Sequence, residues 1–136
     1  MHFTLRDTLE LNREDCDRIG DIYSSCGWGD AYTWTDIRTA FHHTDYYLAA
    51  VNGEGAVLGF LRALTDSVLT TWLAEIIVRK DLHHQGIGTA LMARFTADFE
   101  HTSIYALPLA GTEQVFSKVG IIQRSRLLAQ SRAPLR

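Results

Sequence analysis

The stretch WLAEIIVRKDLHHQGIGTALMARFTADF, residues 72–99, decides how this chain folds. Residues 72–78 are apolar apart from Glu75 and predict a strand, and the apolar stripe that follows predicts a helix opening near Gly88. Gly86 and Gly88 lie in the loop between them, where the missing Cβ atoms let a ligand approach the backbone. Because helix N-termini attract anions, the stretch predicts a site for a phosphorylated ligand.

Length and composition predict one globular domain over residues 1–136, since a chain near 150 residues buries roughly 68–70% of its unfolded surface. The hydrophobic content of 46% and charged content of 21% are ordinary for a soluble protein. No apolar run approaches the ~18 residues that a membrane helix needs, and the N-terminus lacks the layout of a signal peptide. We therefore expect no membrane association and a cytoplasmic location.

The charge distribution is uneven. A net charge of −3 disfavours a nucleic-acid partner, because neutralising phosphates needs clustered Lys and Arg. The charged residues among 118–136 are nevertheless all basic. They form either a solvated tail or a site for a polyanion. These residues are Lys118, Arg124, Arg126, Arg132 and Arg136.

The two cysteines, Cys16 and Cys26, show neither CxxC spacing nor a histidine ligand pattern around them. We interpret both as free thiols and predict no metal site.

The remaining pattern predicts a mixed α/β sheet: an antiparallel three-strand meander plus one parallel pair, flanked by about four helices. Asn12 has the position of a helix N-cap, and Thr33 or Thr35 is the candidate cap of a second helix. Further predicted strands cover 2–6, 46–51, 56–64 and 104–107, a last helix covers 111–119 with Thr112 as cap, and closing strands are suggested at 121–122 and 127–128.

Residues 74–92, AEIIVRKDLHHQGIGTALM, resemble the Gcn5-related N-acetyltransferase (GNAT) superfamily. That family has Arg or Gln, two residues, Gly, one residue, and Gly or Ala between a strand and a helix. Residues 115–121, VFSKVGI, resemble its Phe-Tyr-x-x-x-Gly-Phe segment, and the element order agrees along nearly the whole chain. The resemblance implies a GNAT-like fold, acetyl-CoA (CoA) as cofactor, and acetyl transfer to a primary amine of a small molecule or exposed peptide.

The resemblance also implies cofactor-binding residues. The backbone of Ile77 and Val78 would pair with the pantetheine arm like an added strand. The amides expected to hold the pyrophosphate are those of Gln85, Gly86, Ile87, Gly88 and Thr89. The alternative interpretation of Gly86 and Gly88 is a tight turn that binds no ligand.

Two residues depart from the family pattern. His83 replaces the Arg or Gln, so we expect either a phosphate contact that depends on pH, since histidine titrates near ~6.5, or a solvated loop histidine. Phe116 replaces the tyrosine that often protonates the thiolate leaving group. A phenyl ring has no proton to donate, so we expect Phe116 to pack against the acyl or pantetheine region.

Glu75 is the candidate catalytic base, because an acid within an apolar strand is suited to accept a proton, here through water. The alternatives are an exposed acid or one paired with Arg62 or Arg79. The resemblance places an oxyanion contact at the amide of Val78. Tyr105 is a weak candidate for the missing acid, and its alternative is a strand tyrosine whose hydroxyl lies in water.

The acceptor is poorly specified by the sequence. Trp28, Asp30 and Tyr32 are the candidate substrate-binding residues and suit a cationic or aromatic amine, whereas Arg124 and Arg126 suit an acidic one. A tryptophan folded onto the core is the alternative for Trp28.

Two other functions compete with the N-acetyltransferase hypothesis. His83 and Phe116 favour a non-catalytic acyl-CoA-binding module, and the basic tail suggests a toxin that acetylates aminoacyl-tRNA. The sequence leaves the oligomeric state open, although a homodimer is common in families of this fold.

Overall fold

The computed structural model describes residues 1–28, 32–109 and 112–135. The described helices are α1 (Arg13–Ser25), α2 (Trp34–His42), a short 3₁₀ helix (Lys80–Leu82), α3 (Ile87–Asp98) and α4 (Glu113–Ser117). The described strands are β1 (Thr4–Arg6), β2 (Tyr46–Val51), β3 (Val57–Thr65), β4 (Thr70–Val78) and β5 (Ser103–Ala106). None of the described helices is both long and apolar enough to cross a membrane.

The sheet has the strand order β1-β2-β3-β4-β5. Its first four strands pair antiparallel, and β4 pairs parallel with β5. A crossover is required between parallel strands, and α3 provides it. The predicted fold class, an antiparallel meander plus one parallel pair with four flanking helices, is confirmed.

Local side-chain chemistry sets where the first two helices begin. The Asn12 side chain accepts a hydrogen bond from the Asp15 N–H at 2.9 Å, and the Thr33 hydroxyl accepts one from the Asp36 N–H at 3.1 Å. Each bond satisfies an N–H group that the first helical turn leaves without a partner. Of the two predicted caps for α2, Thr33 is therefore the one used.

Two apolar cores lie on opposite faces of the sheet. Helices α1 and α2 cover one face, whose core includes Phe41, Phe60 and Ile77. Helices α3 and α4 cover the other, whose core includes Phe95 and Phe116. Side chains along a strand alternate between these two layers except where a bulge inserts an extra residue, as at Leu58 in β3 and Ala74 in β4. Between bulges, a residue's neighbours show which face it occupies.

The two parallel strands diverge after four residue pairs. Their register runs from Thr70 opposite Ser103 to Leu73 opposite Ala106, and β4 continues to Val78 without β5 beside it. Pro108 follows two residues after β5 and has no N–H to donate to a ladder. Among the described residues, no strand pairs with the second half of β4 on this side, so its backbone edge is open there.

The predicted closing strands are wrong. Residues 121–135 contain no strand, and the segment makes only one backbone turn, from Arg124 to Leu127. The apolar side chains of Ile122, Leu127 and Leu128 are 52%, 57% and 86% exposed. Paired apolar residues without alternation cannot place one face on a core and the other in water, which is what a strand at a sheet surface needs.

The last helix is also shorter than predicted. It covers Glu113–Ser117 rather than 111–119, and the Thr112 hydroxyl donates to the Leu109 carbonyl instead of capping the helix. Gly120, which follows the helix, takes the left-handed conformation that favours glycine, with φ of 85°.

Candidate functional site

The loop before α3 presents free backbone donors. Gly86 is the N-terminal cap of α3, with φ of 87°, and has no side chain to accept a hydrogen bond. The first intrahelical bond joins the Ala90 N–H to the Gly86 carbonyl. Among the described residues, the N–H groups of Ile87, Gly88 and Thr89 therefore have no acceptor, and they share the positive end of the helix dipole. This arrangement binds an anion such as a phosphate.

Gly88 is not required by the fold. A Cβ atom added there would meet only Val78 Cγ2, at 3.9 Å, which is an ordinary contact, and its backbone is helical. A glycine in a helix costs about 0.8–1.0 kcal/mol relative to alanine. Since sterics and helix propensity both tolerate a side chain, close approach of a ligand is the better explanation for glycine at 88.

His84 adopts a strained backbone conformation in this loop. Its φ is 66°, in the left-handed region that costs an L-residue about 1–2 kcal/mol. We expect His84→Gly to raise the free energy of unfolding by ~0.5–1 kcal/mol, after the greater entropy of glycine in the unfolded chain is subtracted. Denaturant unfolding measures the change.

His83 offers a control in which the free energy of unfolding should change in the opposite direction. Its φ of −63° is ordinary, so His83→Gly gains no relief of strain and should destabilise the fold. Equal effects of the two substitutions would contradict a strained conformation at His84.

At the end of the open edge of β4, the backbone carbonyl of Val78 accepts hydrogen bonds from two side chains. The Val78 carbonyl accepts from His83 Nε2 at 2.9 Å and from Cys26 Sγ at 3.5 Å. The structure thus places the imidazole of His83 against the strand edge rather than over the loop of phosphate donors. Both cysteines are free thiols, as predicted. An open cavity of about 520 Å³ lies beside this point, lined by Ser24, Ser25, Cys26, Gly27, Lys80 and His83.

Glu75 lies at the centre of a polar cluster on the face of the sheet that α1 covers. Its Oε1 atom accepts hydrogen bonds from the Tyr23 hydroxyl and from Arg62 Nε, the latter at 2.8 Å. Arg79, the other predicted partner, pairs instead with Asp81. The alternative of an acid paired with Arg62 is therefore realised.

The second carboxylate oxygen of Glu75 remains available. Both donors reach Oε1, and Oε2 has no partner in the part of the chain that the structure describes. The Glu75 side chain is only 9% exposed. A carboxylate with one oxygen held and the other free can accept a proton from a water or an amine while its position is fixed.

Tyr23 is a site residue that the sequence did not reveal. It is 5% exposed and packs edge-on against Phe60, with ring centroids 5.2 Å apart. It shares the buried face of α1 with Ile19 and Ile22, and this helical spacing of apolar residues is a signal in the sequence that Tyr23 is buried. A buried tyrosine hydroxyl needs a hydrogen-bond partner, which here is Glu75.

Buried tyrosines should make the fold sensitive to alkali. Burial, followed by the adjacent Glu75, raises the pKa of Tyr23, and burial followed by a hydrogen bond to Asp98 raises the pKa of Tyr46. Below the ordinary value of 10.0 both side chains are protonated in the folded and unfolded chain. Above it the unfolded chain ionises first, so stability should fall by about 1–2 kcal/mol by pH 11. Thermal unfolding between pH 8 and 11 measures this.

Tyr46→Phe is the control for the alkaline loss, because phenylalanine cannot ionise. The variant should lose less stability than the native chain between ~pH 9 and 11. An identical loss would show that other groups cause the effect.

The remaining predicted site residues are dispersed. Tyr105 is 42% exposed on β5, and its hydroxyl has no partner within the described ranges. Phe116 is 7% exposed in the core that faces α3. Trp28 is half-buried against the other core, whereas Tyr32 is 53% exposed with its ring 5.2 Å from that of Tyr23. Asp30 lies outside the described residues.

Comparison with protein families gives one match. The sequence model of the acetyltransferase (GNAT) family matches residues 8–115. The matched region includes the strand edge, the glycine loop and the Glu75 cluster. No curated protein sequence matches the chain.

Solved structures show the same fold at low sequence identity. An acetyltransferase of the GNAT family from Streptococcus pneumoniae is 17% identical, with 99% of this chain and 97% of that one covered and a TM-score of 0.73. Glucosamine-6-phosphate N-acetyltransferase from Arabidopsis thaliana is 9% identical, with 96% and 99% covered and a TM-score of 0.71. An aminoglycoside 6'-N-acetyltransferase in complex with coenzyme A is 17% identical, with 76% and 60% covered and a TM-score of 0.63.

Proposed function

The chain belongs to the acetyltransferase (GNAT) family, and from that premise we propose that it is an acetyl-CoA-dependent N-acetyltransferase acting on a primary amine of a small molecule or exposed peptide. The family supports acetyl transfer from acetyl-CoA in general. The amine as acceptor, and the residues that carry the reaction, belong to the proposal.

The donor site fits the groups that acetyl-CoA presents. The free N–H groups of Ile87, Gly88 and Thr89 would hold its pyrophosphate, together with the amides of Gln85 and Gly86. On the open edge of β4, Val78 offers its backbone to the amides of the pantetheine arm. The carbonyl of Ile77, which precedes it, lies against Gly59 of β3 instead. Acetyl-CoA supplies an acetyl group activated as a thioester.

His83 has a specific role in this proposal. Its imidazole covers the Val78 carbonyl, which lies on the edge that the donor would pair with. The ring must move aside if pantetheine bonds to that carbonyl, and its exposed position allows this movement.

The position of Glu75 carries the proposal. It lies on β4 between the paired half of the strand and the open half, with one carboxylate oxygen held and the other free. Most alkyl amines are protonated at pH 7 and must lose a proton before they attack a thioester. Glu75 accepts that proton directly or through water, while Tyr23 and Arg62 fix its carboxylate.

The leaving thiolate needs little assistance. Phe116 has no proton to donate and lies in the opposite core. An ordinary thiol has a pKa near ~8.5, so its anion is already a good leaving group. A solvent water can protonate it, and Tyr105 is the weaker candidate, because it lies on β5 beside the first half of β4, away from the open half along which the donor extends.

Acceptor recognition involves the exposed surface near Glu75. Tyr32 is the exposed aromatic of the loop between α1 and α2, and its ring contacts Tyr23 directly. Trp28 packs against the core on the α1 side of the sheet, and Asp30 lies between Trp28 and Tyr32 in sequence. The proposal includes no nucleic-acid partner and no membrane partner.

The test is release of free CoA thiol from acetyl-CoA in the presence of panels of amines, amino acids and peptides. The proposal predicts thiol release that depends on both the protein and the amine. A native chain that releases thiol with no member of the panels would contradict it.

A non-catalytic acyl-CoA-binding module is the second candidate. The observations that favour it are the ion pair of Glu75 with Arg62 and the absence of a hydroxyl at Phe116. Such a module would be stabilised thermally by acetyl-CoA, by RT ln(1 + [L]/Kd), yet release no thiol with any amine.

A further inference from the structure

Three large apolar side chains form a row across neighbouring strands. Leu64 on β3 lies opposite Trp72 on β4, and Trp72 lies opposite Tyr105 on β5. In the antiparallel pair of β3 and β4, Cβ atoms at such positions are about 4.5–5.5 Å apart. The three side chains are 43%, 38% and 42% exposed, so each of them reaches solvent from one of three adjacent strands. We call Leu64, Trp72 and Tyr105 the apolar row.

The apolar row lies on the same face of the sheet as Glu75. Leu73, which follows Trp72, packs in the core that faces α3, so Trp72 points to the opposite side. Ala63 and Ile104 pack in that same core and place Leu64 and Tyr105 beside Trp72 by the same alternation. Glu75 faces that side too, because it meets Tyr23 of α1 there.

A bulge brings the apolar row close to the carboxylate. Glu75 lies opposite Arg62, whereas Leu73 lies opposite Ala63, so Ala74 is an extra residue in β4. Trp72 therefore lies opposite Leu64, and Glu75 lies opposite Arg62. Leu64 and Arg62 are only two positions apart on β3. Two strand residues span about 7 Å, so the indole begins about 7 Å along the sheet from Glu75.

The direction of β4 separates the two ends of the site. The strand runs from Trp72 through Glu75 to Val78, and the phosphate-binding loop at Gly86 to Gly88 follows beyond its end. A donor that is anchored in that loop and extends along the open edge reaches Glu75 from one side. The apolar row lies on the other side of Glu75 and stays clear for a second substrate.

We propose that the apolar row is the acceptor subsite, and that the acceptor is a primary amine attached to an apolar or aromatic group. The inference rests on the proposed acetyl transfer. The amine meets the free oxygen of Glu75, and the apolar group covers Trp72 and its two neighbours. Burial of such a group stabilises binding in proportion to the apolar surface that it removes from water.

Kinetics with a matched pair of amines test the subsite. Ethylamine and 2-phenylethylamine share the aminoethyl group and differ in the ring. In Trp72→Thr, KM for 2-phenylethylamine should rise about tenfold or more, kcat should change less than about threefold, and KM for ethylamine should stay within about twofold. Threonine keeps the strand propensity at this exposed position. Leu128→Thr is the control, because it removes an apolar side chain that is 86% exposed and lies outside the apolar row. It should leave KM and kcat unchanged for both amines.

Three results would overturn the subsite: equal efficiency of the native chain with both amines, equal effects of Trp72→Thr on both, or a dimer that dissociates in Trp72→Thr during sedimentation. The last would assign the apolar row to a second copy of the chain.

Equilibrium binding separates this inference from the proposed function. If neither amine is acetylated, but 2-phenylethylamine binds the native chain and not Trp72→Thr, the subsite stands and acetyl transfer fails. If both amines are acetylated equally well, acetyl transfer stands and the subsite fails.

Discussion

Glu75→Gln should lower the rate of acetyl transfer by at least about tenfold while the Kd for acetyl-CoA changes less than about twofold. The amide keeps the size of the side chain and an oxygen that can accept from Tyr23 and Arg62, but it cannot take a proton from the amine. The donor contacts lie on the loop at Gly86 to Gly88 and on the open edge of β4, which the substitution does not touch. Steady-state turnover and calorimetric titration with acetyl-CoA measure the two quantities.

Two controls make the Glu75 result interpretable. The substitution leaves the guanidinium of Arg62 without its counter-charge, so thermal unfolding must show that the variant is folded at the assay temperature. Glu54→Gln changes an exposed acid in the turn between β2 and β3 and should leave turnover unchanged. Normal turnover in a folded Glu75→Gln protein would exclude Glu75 as the base.

Tyr23→Phe tests the support of the carboxylate separately. It removes only the hydroxyl and keeps the ring contacts with Phe60 and Tyr32. If the hydroxyl positions Glu75, Tyr23→Phe lowers turnover by less than Glu75→Gln does. The pH dependence of turnover also changes in Tyr23→Phe.

The second large effect concerns cofactor binding. Gly88→Leu should raise the Kd for acetyl-CoA by at least about tenfold, because its side chain projects toward Val78, between the free N–H groups of α3 and the open strand edge. The same change should leave stability unaltered or raise it by up to about 0.8 kcal/mol, since leucine favours a helix more than glycine does. Titration with acetyl-CoA and denaturant unfolding are the two measurements.

Gly88→Ala is the graded control. Its single methyl group adds the same helix propensity with little volume, so it should stabilise the fold and weaken acetyl-CoA binding far less than leucine does. Unchanged binding in a folded Gly88→Leu protein would support the alternative that the glycines form a tight turn with no ligand.

The sequence predicted most of the fold because its signals are local. Asn12 caps α1 as expected, β2 covers the predicted residues 46–51, and the glycine loop precedes α3. Each of these features is set by a few adjacent side chains and by the 2- or 3.6-residue period of apolar positions. The predicted strands at 121–122 and 127–128 failed because short apolar pairs carry no period that distinguishes a strand from an exposed tail.

The site was predicted less completely because it depends on distant pairs. The glycine loop and Glu75 are visible in one continuous stretch. Tyr23 meets Glu75 across 52 positions of sequence, and the bulge at Ala74 exists only in the register of β4 against β3. Neither the hydrogen bond nor the bulge can be read from the sequence near Glu75, and both determine which residues surround Glu75. The position of His83 against Val78 likewise depends on the turn that returns the loop to the strand.

Transfer of an acetyl group from acetyl-CoA to an amine is the reaction that we propose for this chain. The most direct measurement incubates the native protein with isotopically labelled acetyl-CoA and 2-phenylethylamine and identifies the product by mass spectrometry. We expect a labelled acetamide whose formation requires the protein and slows in Glu75→Gln. Tight binding of acetyl-CoA with no labelled amide, from this amine or from the wider panels, would contradict it and identify the chain as a binding module.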